Sequence, residues 1–138
     1  MDATVSWKQR MSFSGVSDSG FTVPIGTVPE VGGDDDGARP MELFLMGLGG
    51  CTGMDVISIL QKKKQQVTFF DVRIHADRAT EHPKIFTAIE IEYIVGGVDI
   101  DRVAVERAVQ LSAEKYCPAQ AMLAQIAPIT TRITIHDE

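Results

Sequence analysis

Residues 40–64 read PMELFLMGLGGCTGMDVISILQKKK, and this stretch decides the fold. Its apolar side chains lie nearly all round a helix, and a helix that is apolar on every side is a buried one. Pro40 suits the first helical position, and Glu42 places negative charge in the first turn, where the helix dipole favours it. The sequence therefore predicts a central helix over residues 40–64, about 37 Å long at the usual rise.

Four glycines interrupt this helix near Cys51, at positions 47, 49, 50 and 53. Glycine destabilises the interior of a helix, so a cluster of glycines needs a compensating reason. We expect either a close approach of another backbone segment to the helix or a kink near Cys51.

Alternating apolar and polar residues predict strands on both sides of the helix. Three strands precede it, and the Gly- and Asp-rich composition of residues 32–37 predicts a loop after them. The elements predicted after it are strands at 67–76, 85–95 and 129–135, a helix capped by Asp99 or Asp101 that runs to Tyr116, and a short helix from Pro118. This order is typical of an α+β protein with antiparallel sheets. We expect one domain over 1–138, made of N-terminal strands and loop (1–36), the central helix (40–64), and strands with a second helical part (67–138).

The size of the predicted sheets bears on the oligomeric state. One three-stranded sheet is too small to cover an apolar helix of this length. The uncovered remainder would form a large exposed apolar patch, which monomeric proteins avoid. We therefore expect a homodimer in which elements of the partner cover each long helix.

The bulk composition restricts the classes of partner. The chain has 138 residues and a net charge of −6, which argues against nucleic acid binding because phosphate contacts need clustered Lys and Arg. The one basic run, Lys62–Lys64, falls where it neutralises the negative end of the central helix. Residues 1–14 lack a secretory signal pattern, and the longest apolar run, Leu43–Leu48, is too short to span a bilayer. These features predict a cytoplasmic protein that has no nucleic acid or membrane partner.

The only two cysteines, Cys51 and Cys117, each follow a helix-start signal. Cys51 comes after Gly49-Gly50 and opens an apolar helical run, and Cys117 directly precedes Pro118, which is typical of an N-cap. The partial positive charge at a helix N-terminus favours a thiolate over a thiol. In a cytosolic protein, two such residues indicate reactive thiols rather than a structural disulfide.

Two interpretations of these cysteines are open from the residues alone. In the first, one thiolate attacks a peroxide oxygen, becomes a sulfenic acid and condenses with the second thiol to a disulfide. In the second, both are unreactive core residues, because free cysteine is among the most buried residue types. The residues stand 66 positions apart, so the sequence does not decide whether they meet.

A thiolate at Cys51 needs a basic partner, and Arg10 and Arg39 are the candidates by elimination. Glu42 stands nine residues before Cys51, on the opposite side of a continuous helix, so it reaches the thiol only if the Gly47–Gly50 segment bends. A carboxylate alone would disfavour the thiolate.

Asp55 and Ser58 share a helical face with Cys51 because they follow it at spacings of four and seven residues. They form a polar stripe that faces a functional site, or else faces solvent or a neighbouring helix.

The sequence offers little for a metal or a phosphate cofactor. The three histidines, His75, His82 and His136, lack metal-ligand spacing with either cysteine. The loop at 32–37 lacks the spaced ligands of a calcium site, and Gly49–Gly53 lacks the lysine of a P-loop. We therefore expect no metal and no cofactor.

Three segments together resemble the OsmC/Ohr family, the osmotically inducible and organic hydroperoxide resistance proteins. They are Pro40–Asp55, Glu81–Lys84 at the start of a strand, and Lys115–Pro118. The run Gly-Gly-Cys-Thr-Gly-Met-Asp at 49–55 is similar to a subgroup of shorter OsmC-like proteins.

The resemblance implies an OsmC-like fold, an intertwined homodimer with two long central helices sandwiched between antiparallel sheets that mix strands of both chains. It also implies a cofactor-free, thiol-dependent peroxidase for organic hydroperoxides, which a dithiol reductant restores. By motif, Cys51 matches the attacking cysteine and Cys117 the resolving one. The position of the family's catalytic glutamate holds Met41 here, and Glu42, one position later, is the candidate for that role. The family's thiolate-stabilising arginine comes from the N-terminal strands, and Arg10 is the arginine of this chain that lies near that position.

Other functions fit the same residues. A non-catalytic OsmC-like protein could hold an apolar ligand in the dimer groove, or could sense redox state through the thiols. A structural thiol pair with no reactivity is a third possibility.

Overall fold

The computed structural model describes all residues from 1 to 138. Its strands are β1 (Ala3–Gln9), β2 (Ser12–Ser17), β3 (Thr22–Ile25), β4 (Gln66–Arg78), β5 (Phe86–Val98) and β6 (Ile129–Asp137), and its helices are α1 (Pro40–Lys62), α2 (Arg102–Leu111) and α3 (Pro118–Leu123). A 3-10 turn at Pro29–Val31 and a π-helical segment at Ser112–Tyr116 complete the order. The chain forms two compact units, Met1–Phe44 and Leu45–Glu138.

The N-terminal unit contains a three-stranded antiparallel sheet in the order β1-β2-β3. Its register pairs Trp7 with Phe13, and Phe13 with Ile25. The three strands predicted before the helix are thus confirmed. In the loop that follows, the Asp36 carboxylate accepts a hydrogen bond from the Ser12 hydroxyl.

Helix α1 has one buried stripe and several exposed apolar side chains. The stripe repeats every four residues and consists of Leu48, Thr52, Val56 and Leu60. Phe44, Met46 and Met54 are 56%, 60% and 74% exposed, so the chain by itself leaves much of the helix uncovered. The helix begins at Pro40 as predicted and ends two residues before the predicted end.

Two of the helical glycines allow β4 to approach α1 closely. A Cβ atom at Gly49 would lie 3.1 Å from Cδ1 of Ile74, and one at Gly53 would lie 3.4 Å from Cγ2 of Val72. A side chain at Gly49 would require the Ile74 side chain to shift by a few tenths of an ångström. The glycines thus admit side chains of β4 rather than its backbone, and α1 continues through them as one helix.

By length and composition, α1 could cross a bilayer, a test that the core helices of soluble proteins also pass. The uninterrupted apolar run 43–48 is only part of this helix. The glycines and polar residues that interrupt the run do not end the helix.

The second sheet has the order β4-β5-β6 and is mixed rather than antiparallel. Strands β4 and β5 are antiparallel, but β5 and β6 run parallel, with Ile89 paired to Ile129 and Val95 to Ile135. The expectation of purely antiparallel sheets is wrong here. Because α2 and α3 lie between β5 and β6, the connection is long enough for the chain to return and start β6 in the same direction.

Strand β5 and helix α2 supply much of the core of the second unit. The inward-facing residues of β5 include Ile89, Ile91, Tyr93 and Val95, and those of α2 include Ala104, Val105, Ala108 and Val109. Asp101 is the N-cap of α2, because its side chain accepts a hydrogen bond from the backbone of Val103.

The helix predicted to run to Tyr116 changes form after Leu111. Residues Ser112–Tyr116 are π-helical, and the backbone N–H of Cys117 donates to the carbonyl of Ser112 at 2.9 Å. This wider turn fixes the position of Cys117 before α3 begins.

Candidate functional site

Cys51 lies in the interior of α1, half-buried, and not at a helix start. The prediction that a helix N-terminus surrounds this thiol is wrong, because Gly49-Gly50 does not break the helix. Gly49 instead admits Ile74 of β4 against the helix.

Cys117 is the N-cap of α3, as predicted. Its Sγ accepts a hydrogen bond of 3.3 Å from the backbone N–H of Gln120, and the residue is 3% exposed. Burial raises the pKa of the Cys117 thiol from its ordinary value to about 11 against the opposing effect of this hydrogen bond, and the neighbouring Cys51 raises it further. The expectation that this helix start favours a thiolate is therefore wrong, because desolvation outweighs the capping bond.

The fold brings the two thiols close to each other. Hydrogen bonding and charge interaction with Cys51 both raise the pKa of Cys117, and both thiols are free. The fold thus brings α1 and the start of α3 together at the two sulfur atoms. A sulfenic acid on one sulfur would face the other thiol.

A buried hydrogen-bond network lies beside the thiols. Thr52 Oγ1 is 2.7 Å from both the Tyr93 hydroxyl and the Ser112 hydroxyl, and Ser112 donates to Asp55 Oδ2 at 2.9 Å. Gln120 Nε2 donates to Thr52 Oγ1 at 3.1 Å and to the Tyr93 hydroxyl at 3.3 Å. No buried side-chain polar atom lacks a partner. The network therefore satisfies polar groups that would otherwise be destabilising in this core.

The surroundings of Tyr93 keep its phenol neutral. Burial raises the pKa of Tyr93 above its ordinary value, and this outweighs the hydrogen bonds with Thr52 and Gln120, which lower it. Tyr93 therefore serves the network as a hydroxyl that both donates and accepts.

Arg10, Arg39 and Glu42 have partners within the N-terminal unit. Glu42 accepts hydrogen bonds from the Arg39 backbone N–H at 3.0 Å and from Arg39 Nη1 at 2.9 Å, and these bonds lower the pKa of Glu42. Arg10 Nε pairs with Asp34 at 3.2 Å, and its Nη2 donates to the carbonyl of Gly32 at 3.0 Å.

The predicted polar stripe divides into two parts. Asp55 accepts the hydrogen bond from Ser112, and it also lines an open groove of about 390 Å³ together with Ser58 and Tyr116. Asp55 therefore connects the buried network to this groove, whereas Ser58 lines the groove but has no hydrogen bond to the network.

An apolar surface groove of about 580 Å³ runs along α1 and β4. Its walls consist of Leu45, Met46, Gly49, Gly50, Gly53, Met54, Ile57, Phe70, Asp71, Val72 and Ile74.

No group of three or more His, Cys, Asp or Glu side chains is placed to hold a metal ion, and His75 pairs with Asp77 at 3.0 Å.

Three residues of the network, Tyr93, Ser112 and Gln120, were not singled out from the sequence. The period-two pattern of β5 places Tyr93 on the same face as Ile89 and Ile91, and a phenol on a buried face requires a partner. The helical pattern of α2 likewise continues onto Ser112. These positions were detectable as buried polar residues, but their partners were not.

Residues 33–132 match the sequence profile of the OsmC-like protein family. The chain belongs to the OsmC-like family. The Escherichia coli (strain K12) protein YhfA is 42% identical over 130 residues, which cover 94% of each chain. The OsmC/Ohr resemblance of the sequence is thus confirmed.

Solved structures agree with this assignment of the OsmC-like protein. A hypothetical protein from Aquifex aeolicus VF5 superposes with a TM-score of 0.87 at 31% identity, over 99% of this chain and 96% of that one. An organic hydroperoxide resistance protein from Elizabethkingia anophelis superposes with a TM-score of 0.66 at 20% identity, over 99% of this chain and 94% of that one. At that identity the second comparison shows the shared fold alone.

Proposed function

We propose that this OsmC-like protein is a thiol peroxidase that reduces organic hydroperoxides, with Cys51 as the attacking and Cys117 as the resolving cysteine. The observation that carries the proposal is the proximity of two free thiols with different surroundings: Cys51 is half-buried, and it helps to raise the pKa of the buried Cys117 to about 11. The fold shared with an organic hydroperoxide resistance protein supports it.

The different surroundings of the two thiols support this division of roles. Cys117 is protonated at neutral pH and shielded from solvent, so it competes poorly for a peroxide. Cys51 is the more accessible sulfur. The buried thiol is thereby reserved for the second step.

The reaction balances with these two thiols and one reductant. The Cys51 thiolate attacks the terminal oxygen of the hydroperoxide, the O–O bond breaks, and the leaving alkoxide takes a proton to become the alcohol. The Cys117 sulfur then attacks the Cys51 sulfur, and the S–O bond breaks. The hydroxide leaves as water with the Cys117 proton. A cytoplasmic dithiol reduces the resulting disulfide and restores both thiols.

We also propose that the protein works as a homodimer in which both units of the chain form one OsmC-like domain. The exposed apolar side chains of α1, among them Met46 and Met54, support a second copy of the chain as the cover of this face. A monomer would leave that apolar surface in water.

The test is hydroperoxide consumption by the reduced protein with cumene hydroperoxide and dithiothreitol. We expect turnover by the wild type, none above background for Cys51→Ser, and a sulfenic acid that dimedone traps in Cys117→Ser. Consumption by the wild type no faster than by Cys51→Ser would reject the peroxidase.

One observation favours a second function, the binding of an apolar ligand. The groove along α1 and β4 has a volume in the range of small-molecule sites and mainly apolar walls. A lipid-like molecule that co-purifies with the protein, together with no hydroperoxide turnover, would favour binding over catalysis.

A further inference from the structure

Gln120 forms hydrogen bonds through both its backbone and its side chain, and these bonds reach both elements that carry a cysteine. Its backbone N–H donates to Sγ of Cys117, which begins α3. Its side-chain Nε2 donates to Thr52, the residue after Cys51 on α1, and to Tyr93 of β5. A displacement of Gln120 would therefore change the position of the Cys117 sulfur relative to α1.

The chemistry of the donors fixes the direction of every bond in the network. The Asp55 carboxylate only accepts, so Ser112 donates to Asp55 and accepts from Thr52. Thr52 has then used its single hydrogen and must accept from Tyr93. Both hydroxyls thus have lone pairs left for the two hydrogens of the Gln120 amide.

The opposite orientation of the amide would break this pattern. If Oε1 of Gln120 occupied the place of Nε2, Thr52 and Tyr93 would both have to donate to it. No hydrogen would then remain for the short contacts from Thr52 to Tyr93 and to Ser112. The network therefore requires a hydrogen-bond donor in the side chain at position 120.

We propose that Gln120 is a positioning residue for the resolving thiol, held in place by the network of Asp55, Ser112, Thr52 and Tyr93. The proposal rests on the proposed peroxidase function. In the resolving step, the Cys117 sulfur must approach the Cys51 sulfur opposite the leaving oxygen. The Gln120 backbone N–H also stabilises the negative charge that develops on Cys117 as its proton passes to the leaving hydroxide.

The first measurement separates the two chemical steps. Reduced protein receives one equivalent of cumene hydroperoxide, is quenched at intervals, and is analysed by mass spectrometry for sulfenic acid and disulfide. In Gln120→Met, we expect sulfenic acid to form at the wild-type rate, and disulfide formation to slow by about tenfold, because the network loses both hydrogen bonds of the Gln120 side chain. The matched control is Gln125→Met, an exposed residue just beyond α3, which should leave both rates unchanged.

The second measurement tests the position of Cys117 without any peroxide. 4,4′-Dithiodipyridine converts Cys51 to a mixed disulfide and releases one thiopyridone, and attack by Cys117 releases the second. We expect the second release to be slowed in Gln120→Met by the same factor. If it is as fast as in the wild type, the positioning proposal is overturned. If it is slowed while the wild type forms no sulfenic acid, the positioning role stands and the peroxidase proposal fails.

A pH profile distinguishes positioning from a general loss of packing. In Gln120→Glu, a protonated carboxyl can still donate one hydrogen bond, but an ionised carboxylate cannot donate. We expect the second thiopyridone release, relative to wild type, to fall as pH rises through the titration of this carboxyl. The comparison is made within one folded variant, so it remains decisive if Gln120→Met fails to fold. A ratio that does not change with pH would overturn the proposal.

Discussion

The hydroxyl groups of Thr52 and Tyr93 lie 2.7 Å apart, although 41 positions separate the two residues in the chain. Thr52 follows Cys51 on α1, and Tyr93 lies on the central strand of the second sheet. The contact therefore attaches the cysteine-bearing turn of the helix to the most buried strand of the fold. This contact helps to fix the position of the helical turn that carries Cys51.

Replacement of Thr52 by valine should destabilise the protein although the two side chains have similar shapes. The change leaves hydroxyl groups of Tyr93 and Ser112 without their buried partner, which costs about 1–3 kcal/mol. Urea unfolding measures the free energy. Thr52→Ser retains the hydroxyl, so its free energy of unfolding should fall by less. A Thr52→Val protein at least as stable as Thr52→Ser would contradict the importance of the network.

Stability should fall as pH rises above about 9 towards about 11. The pKa of Cys117 is raised from 9.0 to about 11 in the folded protein, so in this window the unfolded thiol loses its proton and the folded thiol keeps it. Ionisation then favours the unfolded state. Urea unfolding at pH 8 and pH 10.5 measures this loss. The loss should be smaller in Cys117→Ser, and an equal loss in both proteins would show that Cys117 does not contribute.

The two thiols should differ in their rates of alkylation. At pH 7.5, we expect iodoacetamide to modify Cys51 at least about tenfold faster than Cys117, because Cys117 is buried and remains a thiol. Peptide mapping by mass spectrometry follows each site. In 8 M urea the two rates should converge, which serves as the control. Equal rates in the folded protein would contradict the proposed division of roles.

The wild-type protein should sediment as a dimer of the 15.1 kDa chain, and Met54→Glu should shift it towards monomer. A charge at this exposed apolar position would be buried without a partner in the dimer. Lys63→Glu, just beyond the end of α1, is the control and should remain dimeric. A monomeric wild type in analytical ultracentrifugation would contradict the proposed homodimer.

We propose, from the family resemblance of the sequence, that Arg10 and Glu42 take part in the activation of Cys51, so both should matter in the first chemical step. We expect Arg10→Met to slow sulfenic acid formation by about tenfold, because removal of a cation disfavours a thiolate. Glu42→Gln should change the same rate, and Arg107→Met, on the exposed face of α2, should not. Dimedone trapping at short times supplies the measurement. Wild-type rates in both site variants would remove these residues from the mechanism.

Local patterns predicted most of the elements. Pro40 and the apolar run after it indicated α1 to within two residues at its far end, and Pro118 indicated the start of α3. The period-two pattern likewise indicated β5. These features depend on neighbours within a few positions, which a single sequence contains.

Features that depend on distant parts of the chain were not predictable in the same way. The parallel pairing of β5 and β6 depends on the path of the chain through α2 and α3. The raised pKa of Cys117 depends on burial and on Cys51, and neither follows from the N-cap pattern. Gln120 and Thr52 are 68 positions apart, and no local pattern indicates that they meet.

The π-helical turn before Cys117 makes the length of this segment as important as its composition. Each helical residue turns the chain by about 100°, so a chain one residue shorter between Ser112 and Cys117 would aim its second sulfur in another direction. Such a deletion would leave the hydrophobic pattern of α2 and the cysteine itself intact. Relatives with both cysteines but a different spacing here would therefore need another geometry to join them.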